Sequence, residues 1–387
     1  MILFVNRKIT EVGSTWVFGI KMLSKFKKLT YRVLLIGNII VILLMLFVGN
    51  IGRFNPVDYP MLANLGLGFP ILLAFNVLFL VVWCFLRLRT IWLSLLGFLL
   101  CYGPIRTYSP FNFPKDKPHG TIKVLSYNVF MFSSWSEPDA KKNPIVDYIV
   151  KSKADIVCLQ EAQATLDNKD HIYSTLKEHY PYFKLMIKKK PGADYMVLLS
   201  KYPVLWQDSI PYGSSSNQSI AYMLDIKGNK TLVVNNHFES NGLSSGDKEE
   251  FKTLVKGEMK TGEAKRQSVH LLRKLGDVSV RRAPQAEVVV RYVKKYLDKN
   301  VPVILCGDFN DNPLSYTHRV MSKELNDCYI ESGNGPGISY HKSGMYFRID
   351  HIFASDEFES YGAKVDNSVT TSDHYPIYCW LKYRPKP

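Results

Sequence analysis

Several short apolar runs in the C-terminal two-thirds of the chain end on side chains able to bind a cation or move a proton. Asn128 follows KVLSY, Glu161 follows IVCLQ and His237 follows LVVNN. Asp308 and Asn310 follow VILCG, Asp350 falls within FRIDHIF, and Asp373-His374 precedes YPIYCWL. One carboxylate at a strand end is ordinarily a cap or a surface charge. As a set, oxygen donors such as Glu161, Asp308 and Asp373, with Asn128 and Asn310, suit a hard cation such as Mg²⁺ in preference to zinc. Two histidines with acidic neighbours add acid–base capacity. There is no Ser-His-Asp elbow, and the six cysteines form no CxxC pair, which argues against a thiolate metal site. The composition suits metal-assisted attack of water on a phosphoester. A calcium-loop reading of GDFNDNP fails, because Pro313 stands where the loop needs Gly and Arg319 where it needs Glu. His119, His171, His179, His270 and His318 read as surface residues, and His351 as one that packs or faces solvent.

These side chains need strands to carry them. Thr121–Asn128, Asp155–Glu161, Met196–Ser200 and Val301–Cys306 read as strands, the last three buried. Ile220–Ile226 and Thr231–His237 flank KGNK, a hairpin signal. Asn143-Pro144 starts a helix as N-cap and first residue. Pro284–Leu297 is a second helix, with Ala286, Val290, Val293 and Leu297 on one face. The charged, Gly-spotted stretch between them, 241–277, reads as a surface excursion with some helix. Mixed sheets covered by helices, an α/β class, follow from this pattern.

The chain has 387 residues, 47% apolar and 21% charged, which on average is ordinary. The distribution is not. No charged side chain occurs in stretches of 20, 28 and 16 residues after Arg32, Asp58 and Arg89. A wholly soluble, collagen-like or disordered chain is therefore excluded. Val33–Ile51, Met61–Leu86 and the shorter Thr90–Ile105 read as about three membrane spans. Of the net charge of +15, +9 falls in residues 1–110, where it reports topology. The basic tail places the N-terminus inside, and three crossings make the C-terminal domain extracytoplasmic, periplasmic in a bacterium. The expected organisation is a basic tail (1–30), a membrane region (31–106), a Pro-rich linker (107–120) and a catalytic domain (121–387). Lys188–Lys190 and Arg281-Arg282 are its short basic clusters.

SYNV at 126–129, LQE at 159–161, LLSKYP at 198–203, NNHFES at 235–240, GDFN at 307–310, RIDHIF at 348–353 and SDH at 372–374 resemble the ordered motifs of the endonuclease/exonuclease/phosphatase superfamily, the deoxyribonuclease I-like metal-dependent phosphohydrolases. The resemblance covers about residues 121–382 and implies a four-layered α/β sandwich. It implies that Glu161 is the main metal ligand and that Asn128 contacts the metal or the scissile phosphate. Asp308 would orient or deprotonate water beside the metal, helped by Asn310. His374 would bind the phosphate, with Asp350 orienting its ring, and Asp373 would serve a second shell or second metal. His237 would contact the phosphate or protonate the leaving oxygen. The cofactor implied is Mg²⁺, with Mn²⁺ as a substitute. Where repair endonucleases of this family carry a tyrosine, this chain has Ala193 or Asp194, with Tyr195 out of register. The resulting expectation is a membrane-anchored phosphodiester hydrolase of nuclease type. Its alternatives are a phospholipid, sphingomyelin-type or sugar-phosphate phosphodiesterase or phosphatase, and an inactive membrane-tethered binding module. The implied partners are nucleic acid or a lipid head group as substrate and the bilayer as anchor; no protein partner is inferable.

Overall fold

A computed structural model describes residues 2–133, 143–165, 169–188, 194–214 and 216–384. They form two compact units, one of Met1–Val48 with Gly68–Tyr102, the other of Gly49–Leu67 with Gly103–Pro387.

The first unit contains α1 (Ile2–Gly49), α2 (Phe69–Leu86) and α3 (Ile91–Leu100). Ser24–Gly49 and Pro60–Leu86 are long and apolar enough to cross a membrane. Helix α1 runs unbroken through the stretch expected as a basic tail. The third expected span is broken: Leu88–Leu100 meets α4 (Tyr102–Tyr108) at 62°. Pro104 has no N–H to give the Leu100 carbonyl, which favours the break at Cys101 between α3 and α4. Inside the unit, Asn38 accepts from Trp83 Nε1 (2.9 Å) and Ser94 Oγ (3.0 Å) and donates to Asn76 (3.2 Å). Asn76 in turn donates to the Ser94 carbonyl (3.1 Å). These polar side chains bond one another between apolar helices, where an unmade hydrogen bond would cost most.

The second unit is a four-layered α/β sandwich. Its strands are β1 (Ile122–Asn128), β2 (Ile156–Gln160), β3 (Tyr182–Ile187), β4 (Tyr195–Ser200), β5 (Val204–Ile210), β6 (Gln218–Ile226), β7 (Asn229–His237), β8 (Val303–Asp308), β9 (Asn326–Asp327), β10 (Asp350–Ala354), β11 (Phe358–Val365) and β12 (Ile377–Tyr383). One sheet runs β11-β12-β1-β2-β4-β3, the other β5-β6-β7-β8-β10-β9. Between them lies a core that includes Val124, Cys158, Leu198, Tyr222, Ile304 and Ile352. Strands at the centre are apolar on both faces because each sheet is also covered outside. Helices α5 (Pro144–Ser152) and α6 (Lys169–His179) cover the first sheet. Helices α7 (Ser245–Val255), α8 (Thr261–Leu297) and α9 (Tyr316–Met321) follow, α8 packing Ala286, Val289 and Val293 on the second sheet. The short α10 (Cys328–Ser332) completes the helices described.

Asn143 caps α5 as expected, accepting from Ile145 N and Val146 N. The 220–237 hairpin closes more tightly than KGNK suggests: Ile226 pairs with Asn229, leaving Lys227 and Gly228, both with positive φ, as a two-residue turn. Helix α8 differs more. It begins at Thr261 and runs 37 residues, with Pro284 inside it instead of at its start. Much of the expected excursion is therefore helix, because tertiary packing overrides the breaker signal.

His318 is buried, not at the surface. Its Nε2 lies 2.7 Å from Asp327, whose carboxylate also stands 3.8 Å from His351 Nδ1. Burial pushes the His318 imidazole down to about 4 against the rise due to Asp327, with His351 and Arg348 also lowering it. The folded value lies below the ordinary 6.5. This contribution to stability is therefore complete above pH 6.5 and lost as pH falls toward 4, about 3 kcal/mol in all. The melting temperature of the full-length protein in detergent should fall across that window, and His318→Gln should flatten the fall. Equal pH dependence in both proteins would contradict the assignment.

Candidate active site

Strand register sets the site. In the second sheet His237 of β7 pairs with Asp308 of β8, and Asp308 pairs with Asp350 of β10, so three chemically capable residues stand in one row. In the first sheet Asn128 of β1 pairs with Gln160, and Glu161 follows directly. The two sheets present these ends to each other. Asn128 Nδ2 donates to Glu161 Oε1 (3.1 Å) and to Asp308 Oδ2 (3.0 Å), joining one sheet to the other. Ser372 donates to the Asn128 carbonyl (2.7 Å) and accepts from His374 N (3.1 Å), which ties the SDH segment to β1.

Around Asp308 stand two imidazoles, each held from behind. His374 Nδ1 is 2.7 Å from Asp350 Oδ2, and its Nε2 is 3.7 Å from Asp308 Oδ2. His237 Nδ1 is 3.0 Å from Asp194 Oδ2, with its Nε2 3.7 Å from Glu161 and 3.8 Å from Asp308. Burial would lower His237, but the Asp194 carboxylate and its hydrogen bond, then Asp308 and Glu161, push it up to about 10. His374 is raised too, by Asp350 and Asp308 against burial. Burial raises Glu161 and Asp308, partly offset by His237 for the first and by His374 for the second.

The backbone is strained here. Glu161 (φ 50°) and Asn310 (φ 53°) are left-handed, as are the four residues Phe130–Ser133 that follow β1. Such conformations cost of order 1–3 kcal/mol each and persist only when their surroundings dictate them. Asn310 is held by its N–H to Asp308 Oδ1 (2.7 Å) and its amide to the Phe238 carbonyl (3.1 Å). Gly307 has φ 140°, and a Cβ there would lie 1.9 Å from the Asn236 carbonyl oxygen. Only glycine lets β8 lie against β7 beside the central carboxylate.

The expected residues Asn128, Glu161, His237, Asp308, Asp350 and His374 thus converge, with Asn310 buttressing Asp308. Asp373 also lines the cleft, 8% exposed, its Oδ1 without a partner among the described residues. His237 Nε2 is likewise buried and unpartnered, facing two carboxylates beyond hydrogen-bond reach. An oxygen-rich set with raised carboxylates and orphaned atoms fits a divalent cation. Asp308, Asp350 and His374 also come close enough to share an ion, but the 2.7 Å bond between Asp350 and His374 Nδ1 makes those two an oriented pair.

Two features were missed in the sequence. Asp194 lies just ahead of β4 and carries no motif of its own. Tyr340, whose ring meets His374 edge-on at 5.2 Å, receives a bond from Lys248 (3.0 Å); neither carries a motif. Of the basic clusters, Lys189 and Lys190 lie outside the described residues, and Lys188 donates to the Asn217 carbonyl (2.6 Å). Arg282 is buried, bonded to the Glu239 carbonyl and Asn241 and paired with Asp311, so it supports the 239–241 loop from inside.

A family model described as the Endonuclease/Exonuclease/phosphatase family matches residues 125–374, and residues 31–108 match a domain of unknown function, DUF8431. Among curated proteins none matches. The human Nocturnin catalytic domain with bound sulfate is similar in fold, at 17% identity and a TM-score of 0.50, over 70% of this chain and 96% of that one. A humanized TDP2 of D. rerio has 15% identity and a TM-score of 0.48, over 68% and 99%. A mannosyl-6-phosphatase of Bacteroides thetaiotaomicron has 19% identity and a TM-score of 0.46, over 68% and 100%.

If Asp194 serves to hold the His237 ring and charge, Asp194→Asn should cut turnover of a phosphodiester by about two decades. His237→Gln should do the same, and the double variant should lose little more, since the two act as a unit. Additive losses would show that Asp194 acts elsewhere.

Proposed function

The chain belongs to the endonuclease/exonuclease/phosphatase family, a family of phosphoester hydrolases, and on that premise we propose that it is a membrane-anchored, divalent-metal-dependent phosphodiester hydrolase. The observation that carries this is the bridge of Asn128 to both Glu161 and Asp308, with His237 and His374 less than 4 Å from Asp308.

Glu161, Asn128, Asp308 and Asp373 would hold Mg²⁺ or Mn²⁺. Bound there, the cation supplies Lewis-acid polarisation of the phosphate and offsets charge in the transition state. Asp308 orients the attacking water and takes its proton as the new O–P bond forms. His374, kept cationic by Asp350, donates to a non-bridging oxygen where charge builds. As the opposite P–O bond breaks, His237 gives its Nε2 proton to the leaving oxygen. Asn310 keeps Asp308 aimed through its N–H.

Membrane sidedness rests on the segment between the first two apolar helices. Ile51 is buried, and Asn64 donates to Ser279 (3.0 Å), within the same compact unit as the sheets. A segment packed on the catalytic domain shares its side of the membrane. If α1 and α2 both cross, Arg87–Arg89 lies on the opposite face, and the bent pair Leu88–Tyr108 must supply a third crossing. The basic tail then favours an extracytoplasmic domain.

Two experiments test this. The purified full-length protein should hydrolyse bis-p-nitrophenyl phosphate with Mg²⁺ or Mn²⁺ and stop with EDTA. Asp308→Asn and His374→Ala should lose two decades or more in turnover while keeping their circular dichroism spectra. Activity untouched by EDTA, or near-normal rates in both variants, would defeat the mechanism. For topology, Val57→Cys in a Cys84→Ser background should react with an impermeant maleimide on the same side as a C-terminal tag. Opposite sides would refute the third crossing.

A further inference from the structure

The cleft does not end at the carboxylates. It opens into a chamber of about 320 Å³ whose lining passes from Glu161, Asp308 and His374 to aliphatic and aromatic side chains. Leu271 and Leu275 come from one face of α8, Phe251 from α7, Met345 and Phe347 from the segment before β10, and Leu67 from the segment between the apolar helices. The stretch that reads as a surface excursion thus builds one apolar wall of the active site. Its fold is secured by a capping box between Ser244 and Asp247, and by Lys274 of α8 bonded to Asp247 of α7.

Resting on the phosphodiesterase reading, we infer that this chamber takes the apolar chain of an amphiphilic phosphodiester drawn from the bilayer. The volume lies at the lower end of the range for ligand pockets, about 300–1,000 Å³, enough for the first part of a chain beside its phosphate. Polar groups of the lining are largely committed: Asn64 to Ser279, and Asn241 to the Asn310 carbonyl and Arg282. Asn312, another lining residue, has its Nδ2 buried and unpartnered among the described residues. Lys248, bonded to Tyr340, is the one lysine or arginine among the described lining residues. Nucleic acid is held by many phosphate contacts; one cation and an apolar wall suit a single phosphate with a hydrocarbon neighbour. The chain itself links this chamber to the membrane. Leu67 is two residues from Phe69, where α2 begins, so their Cα atoms are at most about 8 Å apart.

The full-length protein in nanodiscs would be assayed with p-nitrophenyl alkyl phosphodiesters from methyl to dodecyl, each below its critical micelle concentration. Over the first several carbons, kcat/KM should rise about fourfold per methylene, then level off. Leu275→Glu and the milder Phe347→Ala should flatten that rise, whereas Leu205→Glu, exposed on β5, should keep it. Phosphatidylglycerol vesicles should release a phosphorylated head group, and DNA should compete poorly. A series without chain-length dependence, or DNA cleaved faster than the dodecyl ester, would overturn the inference while leaving the phosphodiesterase reading intact. Length dependence with intact vesicles would overturn the bilayer source. No turnover of any ester would overturn the reading on which it rests.

Discussion

The bond pattern of one amide holds the catalytic unit to its purpose. Asn128 Nδ2 donates at once to Glu161 from its own sheet and to Asp308 from the other. Two carboxylates in the same gap, Asp308 buried and Glu161 half-buried, repel each other, and the buried one loses hydration worth several kcal/mol. An amide that donates to both lowers that cost without adding charge. It also fixes the offset between the sheets, since a slip of either strand by one residue would turn these side chains to the opposite face.

Charge balance explains the rest of the site. Asp194 and Asp350 stand behind His237 and His374, and each makes its imidazole a better cation. Those cations face Asp308 from two sides. Both imidazoles are thus oriented by the bond at Nδ1, which leaves Nε2 of each toward the cleft. Strain collects at the same place: Glu161 and Asn310 have positive φ, and Gly307 has no room for a side chain. The apolar strands behind the site supply the packing that keeps such conformations populated.

A different rule governs the helical unit. Between apolar helices hydrocarbon contact discriminates little, so the network of Asn38, Asn76, Ser94 and Trp83 specifies which faces meet. The 49–67 segment belongs to neither logic alone, because it leaves an apolar helix and packs within the unit that holds the sheets. Gly52 sits so close to the Leu314 and Ser315 carbonyls that a Cβ would lie 2.7 and 2.6 Å from them. That contact is why a short connection between hydrophobic helices bears on the catalytic cleft at all.

The linear chain already determined the apolar gaps, the order of strands and the chemistry at their ends, because each of these is a local pattern of residue type. Asn128, Glu161, His237 and Asp308 are legible at the ends of apolar runs, Asp350 within one and His374 just ahead of one. Asp194 is not, because no motif of its own marks it ahead of β4, and its value arises only when the fold brings it beside His237 of β7. The full length of α8 was hidden by Pro284, whose helix-breaking tendency is outweighed by the Ala286, Val289 and Val293 face packed on the second sheet. His318 reads as a surface residue in the sequence because nothing within its own segment announces Asp327 or His351. The apolar chamber beside the carboxylates was equally invisible: Leu67, Leu271 and Phe347 are far apart in sequence, and only packing makes them neighbours. Residue type and spacing encode what a segment can do; which distant groups it will face is settled by the packing of the sheets and helices around it.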